Sequence, residues 1–170
     1  SDIKRSTNAS YTASGVESAV GGGVSNTASG SQAAVAGGSG NTASGNTSFN
    51  GGGDSNVASN TNAATLGGST NTASGQRSAT LGGSTNTASG NDSIAHGISA
   101  STRGLRAARA SSGGTHNLLG QAQGLELYLR GTTTDATPLV LTVDASAAGS
   151  SNVLVVPDNA VINVFGQLCG

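Results

Sequence analysis

The chain has 170 residues, of which 28 are Gly, 9% are charged and 2% are aromatic, and its net charge is -1. Leu, Ile, Val and Phe together make 30 residues, too few for a conventional globular core, while the near-zero charge excludes a charge-driven disordered tail. No apolar run approaches the roughly 20 residues of a membrane-spanning helix, and the charge balance gives no electrostatic footprint for nucleic acid.

The chain opens on Ser1-Asp2-Ile3-Lys4-Arg5 and polar sequence, with no apolar signal segment. From there to Gly90 it repeats. Thr-Ala-Ser-Gly closes at Gly15, Gly30, Gly45, Gly75 and Gly90, and Val57-Ala58-Ser59-Asn60 fills the remaining register. The period is 15 residues over six copies without insertion, and a seventh, decayed copy covers residues 91–105.

Each repeat reads as two short strands and two glycine corners. The fourth position (Ala19, Ala34, Phe49, Ala64, Ala79, Ile94) and the sixth (Gly21, Ala36, Gly51, Leu66, Leu81, His96) share a face, because alternate strand residues point the same way. Being the apolar columns, they are expected to line the interior, with the fifth position (Val20, Val35, Asn50, Thr65, Thr80) facing out. Gly-Gly pairs then supply a corner. The column Asn26, Asn41, Asn56, Asn71, Asn86 opens a second strand as a turn cap, and Ala28, Ala43, Ala58, Ala73, Ala88 point inward. On that reading Ala73→Asp disrupts the rod and Asn71→Asp is mild. Two strands and two corners per 15 residues describe one coil of a β-solenoid or β-roll. At roughly 4.8 Å per coil, six coils make a rod of about 29 Å. Interior columns of Ala and Gly bury little area per coil, so association of identical chains is expected to supply the rest.

The pattern Ser-Ala-x-x-Gly-Gly…Asn-Thr-Ala-Ser-Gly resembles the head repeats of YadA-type trimeric adhesins, which also occur in phage fibres. The resemblance covers residues 1–105 and implies a left-handed parallel β-roll in a homotrimer.

Beyond the repeats the grammar changes. Arg103, Arg106 and Arg109, three residues apart, could line one face of a short helical turn. A basic patch for a glycan is one reading, but a solvated neck is favoured, and residues 106–123 are read as neck or linker. Residues 124–170 read as a small antiparallel β module, with strands expected at 125–130, 139–143, 153–156 and 160–167. Residues 129–138, Val156-Pro157-Asp158-Asn159 and Phe165-x-Gln167 resemble a β-rich C-terminal module of bacteriophage tail fibres and tailspikes. In that family the module continues for further strands, so this copy reads as shortened.

The residues needed for catalysis do not come together. His96 and His116 are expected in loops without a neighbouring carboxylate or Cys, and no ligand spacing suits a metal. No enzyme activity, cofactor or metal is expected, and Cys169 is expected as a free thiol. The fold class read from the sequence is all-β: a β-solenoid of 15-residue coils followed by a small antiparallel β domain, in a homotrimer. The resemblances imply a structural and adhesive virion fibre, a phage tail fibre. Its partners would be other tail or baseplate proteins and a host-surface glycan, with no nucleic acid and no membrane insertion. A bacterial surface adhesin and, from stacked Thr-x-Thr, an ice-binding solenoid are the alternatives. Receptor contact is expected at Arg103, Arg106, Arg109, Tyr128, Arg130, Asp135 and Asp144, where charged and aromatic groups gather after the repeats.

Overall fold

The computed structural model describes residues 10–114 and 123–128, and all of its regular elements are strands. The strands expected at 139–143, 153–156 and 160–167 lie outside the described residues. One face of the solenoid is built from β1 (Tyr11–Ala13), β3 (Asn26–Ala28), β5 (Thr42–Ala43), β7 (Val57–Ala58), β9 (Thr72–Ala73) and β11 (Thr87–Ala88). The other face takes β2 (Ala19–Val20), β4 (Ala34–Val35), β6 (Phe49–Asn50), β8 (Ala64–Thr65), β10 (Ala79–Ser84), β12 (Ile94–Ile98), β13 (Arg109–Gly113) and β14 (Gln123–Glu126). The chain alternates between a six-stranded and an eight-stranded sheet, half a coil at a time.

Pairing is parallel and steps by the repeat length. Ala34 lies beside Phe49 and Phe49 beside Ala64, while Thr27 lies beside Thr42 and Ala43 beside Ala58. The register slips once. Ala79 faces Ile94, but Gly83 faces Gly97 and Thr87 faces Ser101, because Ala95-His96-Gly97 is one residue shorter than Thr80-Leu81-Gly82-Gly83. The missing residue is restored at the Arg103-Gly104 turn, so Ile94 again pairs with Arg109 one full repeat later. The +15 register thus runs on into β13, and β14 closes the sheet antiparallel, with Arg109 opposite Glu126.

Two expectations about direction are overturned. The fifth position faces inward: Val35, Asn50, Thr65, Thr80 and, in the seventh coil, Ala95 are all buried. The fourth and sixth positions face outward, with Leu66 53% and Phe49 40% exposed. Nor does the Asn column cap an exposed turn. Asn26, Asn41, Asn56, Asn71 and Asn86 have no exposed surface, and Ala28, Ala43, Ala58, Ala73 and Ala88 lie equally deep.

The interior Asn column explains how so little apolar area closes a coil. Asn56 Nδ2 donates to Gly52 O at 2.8 Å in its own coil and to Gly68 O at 2.9 Å in the next. Its Oδ1 accepts from Asn71 N at 2.9 Å. The same set recurs at Asn41, with Gly37 O, Gly53 O and Asn56 N. Each side chain therefore bonds three backbone groups and ties two coils together, reinforcing a next-coil glycine carbonyl that also accepts a backbone N–H, as Gly68 O does from Asp54 N at 2.9 Å. The ladder starts after Tyr11, which occupies the Asn position in the first coil and is 38% exposed. It ends where Ala100 N donates to Asn86 Oδ1 at 2.9 Å.

A second device turns the corners. Glu17, Gln32, Thr47, Asn62, Arg77, Asp92 and Ala107 all have φ between 52° and 61°, one per coil, in the left-handed region. That conformation costs an L-residue roughly 1–2 kcal/mol. It persists because backbone bonds to neighbouring coils fix it, such as Arg77 N to Thr61 O at 3.0 Å and Asp92 N to Gln76 O at 2.9 Å.

Not every inward polar group is satisfied. Thr65 Oγ1 and Thr80 Oγ1 are buried without a hydrogen-bond partner among the described residues. The same column holds Val35 with 1% exposure, so the site accepts a valine. Thr65→Val with Thr80→Val is expected to stabilise the chain by about 1 kcal/mol per site, since an unsatisfied buried hydroxyl costs about 1–3 kcal/mol. Thermal unfolding followed by circular dichroism checks this: the midpoint should rise.

Candidate functional site

The sequence points to the end of the solenoid, where arginines replace the small residues of the repeats. Arg103, Arg106 and Arg109 do not form a helical turn. Arg103 sits in a turn with φ 53°, Arg106 precedes the left-handed Ala107, and Arg109 begins β13. The helical spacing is accidental, because Ala107, Ala108 and Ala110 are the ordinary occupants of a further coil's turn and inward positions. Ala108 and Ala110 are buried.

Asp92 holds the corner together. Arg77 Nε meets Asp92 Oδ1 at 2.6 Å and Arg77 Nη2 meets Oδ2 at 3.2 Å. Arg106 Nε approaches Oδ2 at 3.2 Å from the following coil. The Arg77 hydrogen bond, with Arg106 assisting, holds the Asp92 carboxyl below its ordinary range, and Asp92 in turn raises Arg77. A carboxyl depressed in the folded state stabilises it above the unfolded carboxylate range, and that contribution disappears as pH falls through the folded value. These side chains are too exposed for the effect to be large. Two guanidiniums on one carboxylate leave a net positive corner.

Around β13 and β14 lies an open cavity of about 430 Å³, lined by His96, Arg109, Ser111, Leu125 and Glu126 among others. His96 belongs to β12, not to a loop, and it is exposed beside Ser111. Tyr128 follows β14, 59% exposed, and donates its hydroxyl to Glu126 Oε1 at 2.5 Å. That bond to a carboxylate holds the phenol proton and raises the Tyr128 pKa above its ordinary value. Glu126→Gln is expected to bring it back down, read as the ultraviolet absorbance of tyrosinate on alkaline titration in a Tyr11→Phe background. An unchanged titration would show that Glu126 is not the partner.

Arg109 and Tyr128 therefore flank one strand pair, and Arg106 is engaged with Asp92 at the corner before it. Arg130, Asp135 and Asp144 lie outside the described residues. Among the described residues no three His, Cys, Asp or Glu side chains converge on a metal-sized site. The chain matches no protein-family model, and no curated protein or solved structure is significantly similar to it.

The sequence reading missed a surface. On the outside of the eight-stranded sheet, Phe49, Leu66 and Leu81 stand exposed, with Ile98 49% exposed nearer the end. The signal was present. From the fourth coil onward Phe49, Leu66, Leu81 and Ile94 appear in two columns made mostly of Ala and Gly, while the column between them changes from Val20 and Val35 to Asn50, Thr65 and Thr80.

Proposed function

We propose that this chain forms the shaft and the base of the attachment region of a virion fibre, as a homotrimer of the kind carried on bacteriophage tails. The observation that best supports this is the unbroken axial ladder. Every coil is tied to the next by backbone bonds such as Thr42 N to Asn56 O and Thr72 N to Asn86 O, both 2.8 Å. Inside, the Asn column doubles those ties. A rod bonded along its length in this way resists bending and offers proteases few loops. Three copies of a weak surface contact would gain from avidity.

Receptor contact belongs to the end of the rod in this reading. Arg106, Arg109 and Tyr128 are the groups there that can hold an anionic or hydroxyl-rich surface glycan, together with the region after residue 128. The repeats present mainly Ser, Thr and Asn, which make poor anchors. A bacterial surface adhesin remains the second reading, because the 15-residue repeats resemble YadA-type heads as much as fibre stems. Mass spectrometry of density-purified virions, with immunogold labelling, separates the two. The chain should be found at an appendage of the particle; its recovery only from bacterial outer membranes would contradict the fibre assignment.

A further inference from the structure

We propose that the outer face of the eight-stranded sheet is the contact through which copies of this chain associate, side by side and in parallel register. Parallel alignment rests on the fibre reading above, since a shaft must bring the later residues of all its copies to one end. The choice of face rests on the surface itself.

Adjacent strand positions have opposite fates on this sheet. Asn50, Thr65 and Thr80 point inward and are buried, while Phe49, Leu66 and Leu81, each one residue away, point out and are 40%, 53% and 49% exposed. For a rod that stayed alone in water this arrangement is inverted: polar groups are desolvated inside and apolar groups are hydrated outside. It makes physical sense if the outside is also an interior.

The outward residues form a continuous strip. Leu66 N donates to Thr80 O at 3.0 Å, which sets Leu81 directly beside Leu66 in the next coil. Ala64 and Ala79 lie between Phe49 and Ile94 along the neighbouring column, in register. From Ala19 to Ile94 neither outward column contains a charged residue. The opposite sheet is different: Thr27, Thr42, Thr72 and Thr87 face out there with the single apolar Val57 among them, flanked by Ser29, Ser44, Ser59 and Ser74. One side of the rod suits water and the other suits a dry contact.

Charge and period decide the occupant. A strip with no charge offers nothing to an anionic polymer or a charged peptide. It complements an equally uncharged strip whose large side chains recur once per coil, and a second copy of this chain supplies that strip with the same spacing. Large residues begin at Phe49, whereas Ala19, Gly21, Ala34 and Ala36 precede it. The firmest contact is therefore in the later coils.

The test uses the full chain with Cys169→Ser, carrying one new cysteine at a time in place of Phe49, Leu66, Ile94 or Thr72. After mild copper-catalysed oxidation, non-reducing electrophoresis should show chain-to-chain disulfides at each of the three strip positions and none at Thr72 on the opposite sheet. In parallel, sedimentation equilibrium should give three times the 16.1 kDa chain mass. The double variant Leu66→Lys with Leu81→Lys should reduce it to the single-chain mass, with β circular dichroism retained. Cross-linking at Thr72, or none on the strip while the unsubstituted chain sediments as an oligomer, would overturn the face and leave the fibre reading standing. Cross-linking at only one strip position would overturn parallel register. A chain that sediments at 16.1 kDa at micromolar concentration overturns this contact and the trimeric shaft together.

Discussion

Asn71→Asp should unfold the middle of the solenoid, although it exchanges one nitrogen for one oxygen. Asn71 has no exposed surface. Its Nδ2 donates to Gly67 O at 2.9 Å and to Gly83 O at 3.0 Å, and its Oδ1 accepts from Asn86 N at 2.9 Å. An aspartate keeps the acceptor but turns a second, charged oxygen toward two carbonyls. Both donors are lost, like dipoles face each other, and a charge sits unpaired away from water. The expected cost is about 3–5 kcal/mol, the range for an uncompensated buried charge. The sign of the pH dependence follows. Burial beside carbonyls raises the new carboxyl's pKa in the folded state, so the native chain binds the proton more tightly than the unfolded one. Stability of the variant should therefore fall as pH rises through and above the ordinary carboxylate range, and recover in part on acidification. Chemical denaturation at pH 7 and pH 4 measures both effects. A loss under 1 kcal/mol at pH 7 would mean that the ladder contributes little.

Gly68→Ala should be comparably severe, for a different reason. Gly68 has φ 86°, a backbone conformation that side chains rarely adopt. A Cβ there would lie far inside contact distance of the Gly83 carbonyl oxygen and would also press on Asn71 Nδ2 at 2.8 Å. The obstacle is backbone of the next coil, held by its own hydrogen bonds, so local side-chain motion cannot relieve it. Gly23, Gly38, Gly53, Gly83 and Gly97 share the position and the positive φ, so it is glycine in every coil from the second to the seventh. Strain of about 1–3 kcal/mol from the dihedral adds to the steric conflict, so a total above about 3 kcal/mol is expected. A thermal midpoint within 2–3 °C of the unsubstituted chain would mean that the coils can separate locally more easily than their spacing suggests, because about 1 kcal/mol shifts the midpoint of such a chain by that much.

The period, the strand pairs, the glycine corners and the inward Ala73 column were legible because regular repetition makes each column its own control. Direction on the eight-stranded sheet was not. The usual rule places Leu66 and Phe49 inside and Thr65 and Asn50 outside, and here the reverse holds. The rule fails because the inward positions of that sheet hold Asn50, Thr65 and Thr80, in a core made mostly of Ala, Ser, Thr and Asn. Small residues and backbone-bonding Asn fit there, and large apolar groups are left to the outer face. The Asn ladder was read as turn capping because sequence shows that Asn71 adjoins a corner but not that its amide reaches Gly67 and Gly83. The slip at His96 was hidden because the seventh copy loses one residue there and regains one near Arg103, keeping its total length. Arginine spacing suggested a helical turn at Arg103, Arg106 and Arg109, but their place in a continuing coil overrode it. The sharing of Asp92 between Arg77 and Arg106 could be found only once the coils were stacked.

Hydrogen exchange of the asparagine side-chain amides, followed by nuclear magnetic resonance, tests the central claim most directly. If stacked coils are held by an internal Asn column, the Nδ2 protons of Asn26, Asn41, Asn56, Asn71 and Asn86 should be strongly protected. Those of Asn46, Asn62 and Asn91, exposed at the corners, should exchange at close to the rate of a free amide. Uniformly fast exchange across all eight would contradict the ladder, and with it the inward and outward assignments on which the shaft and its proposed contact face depend.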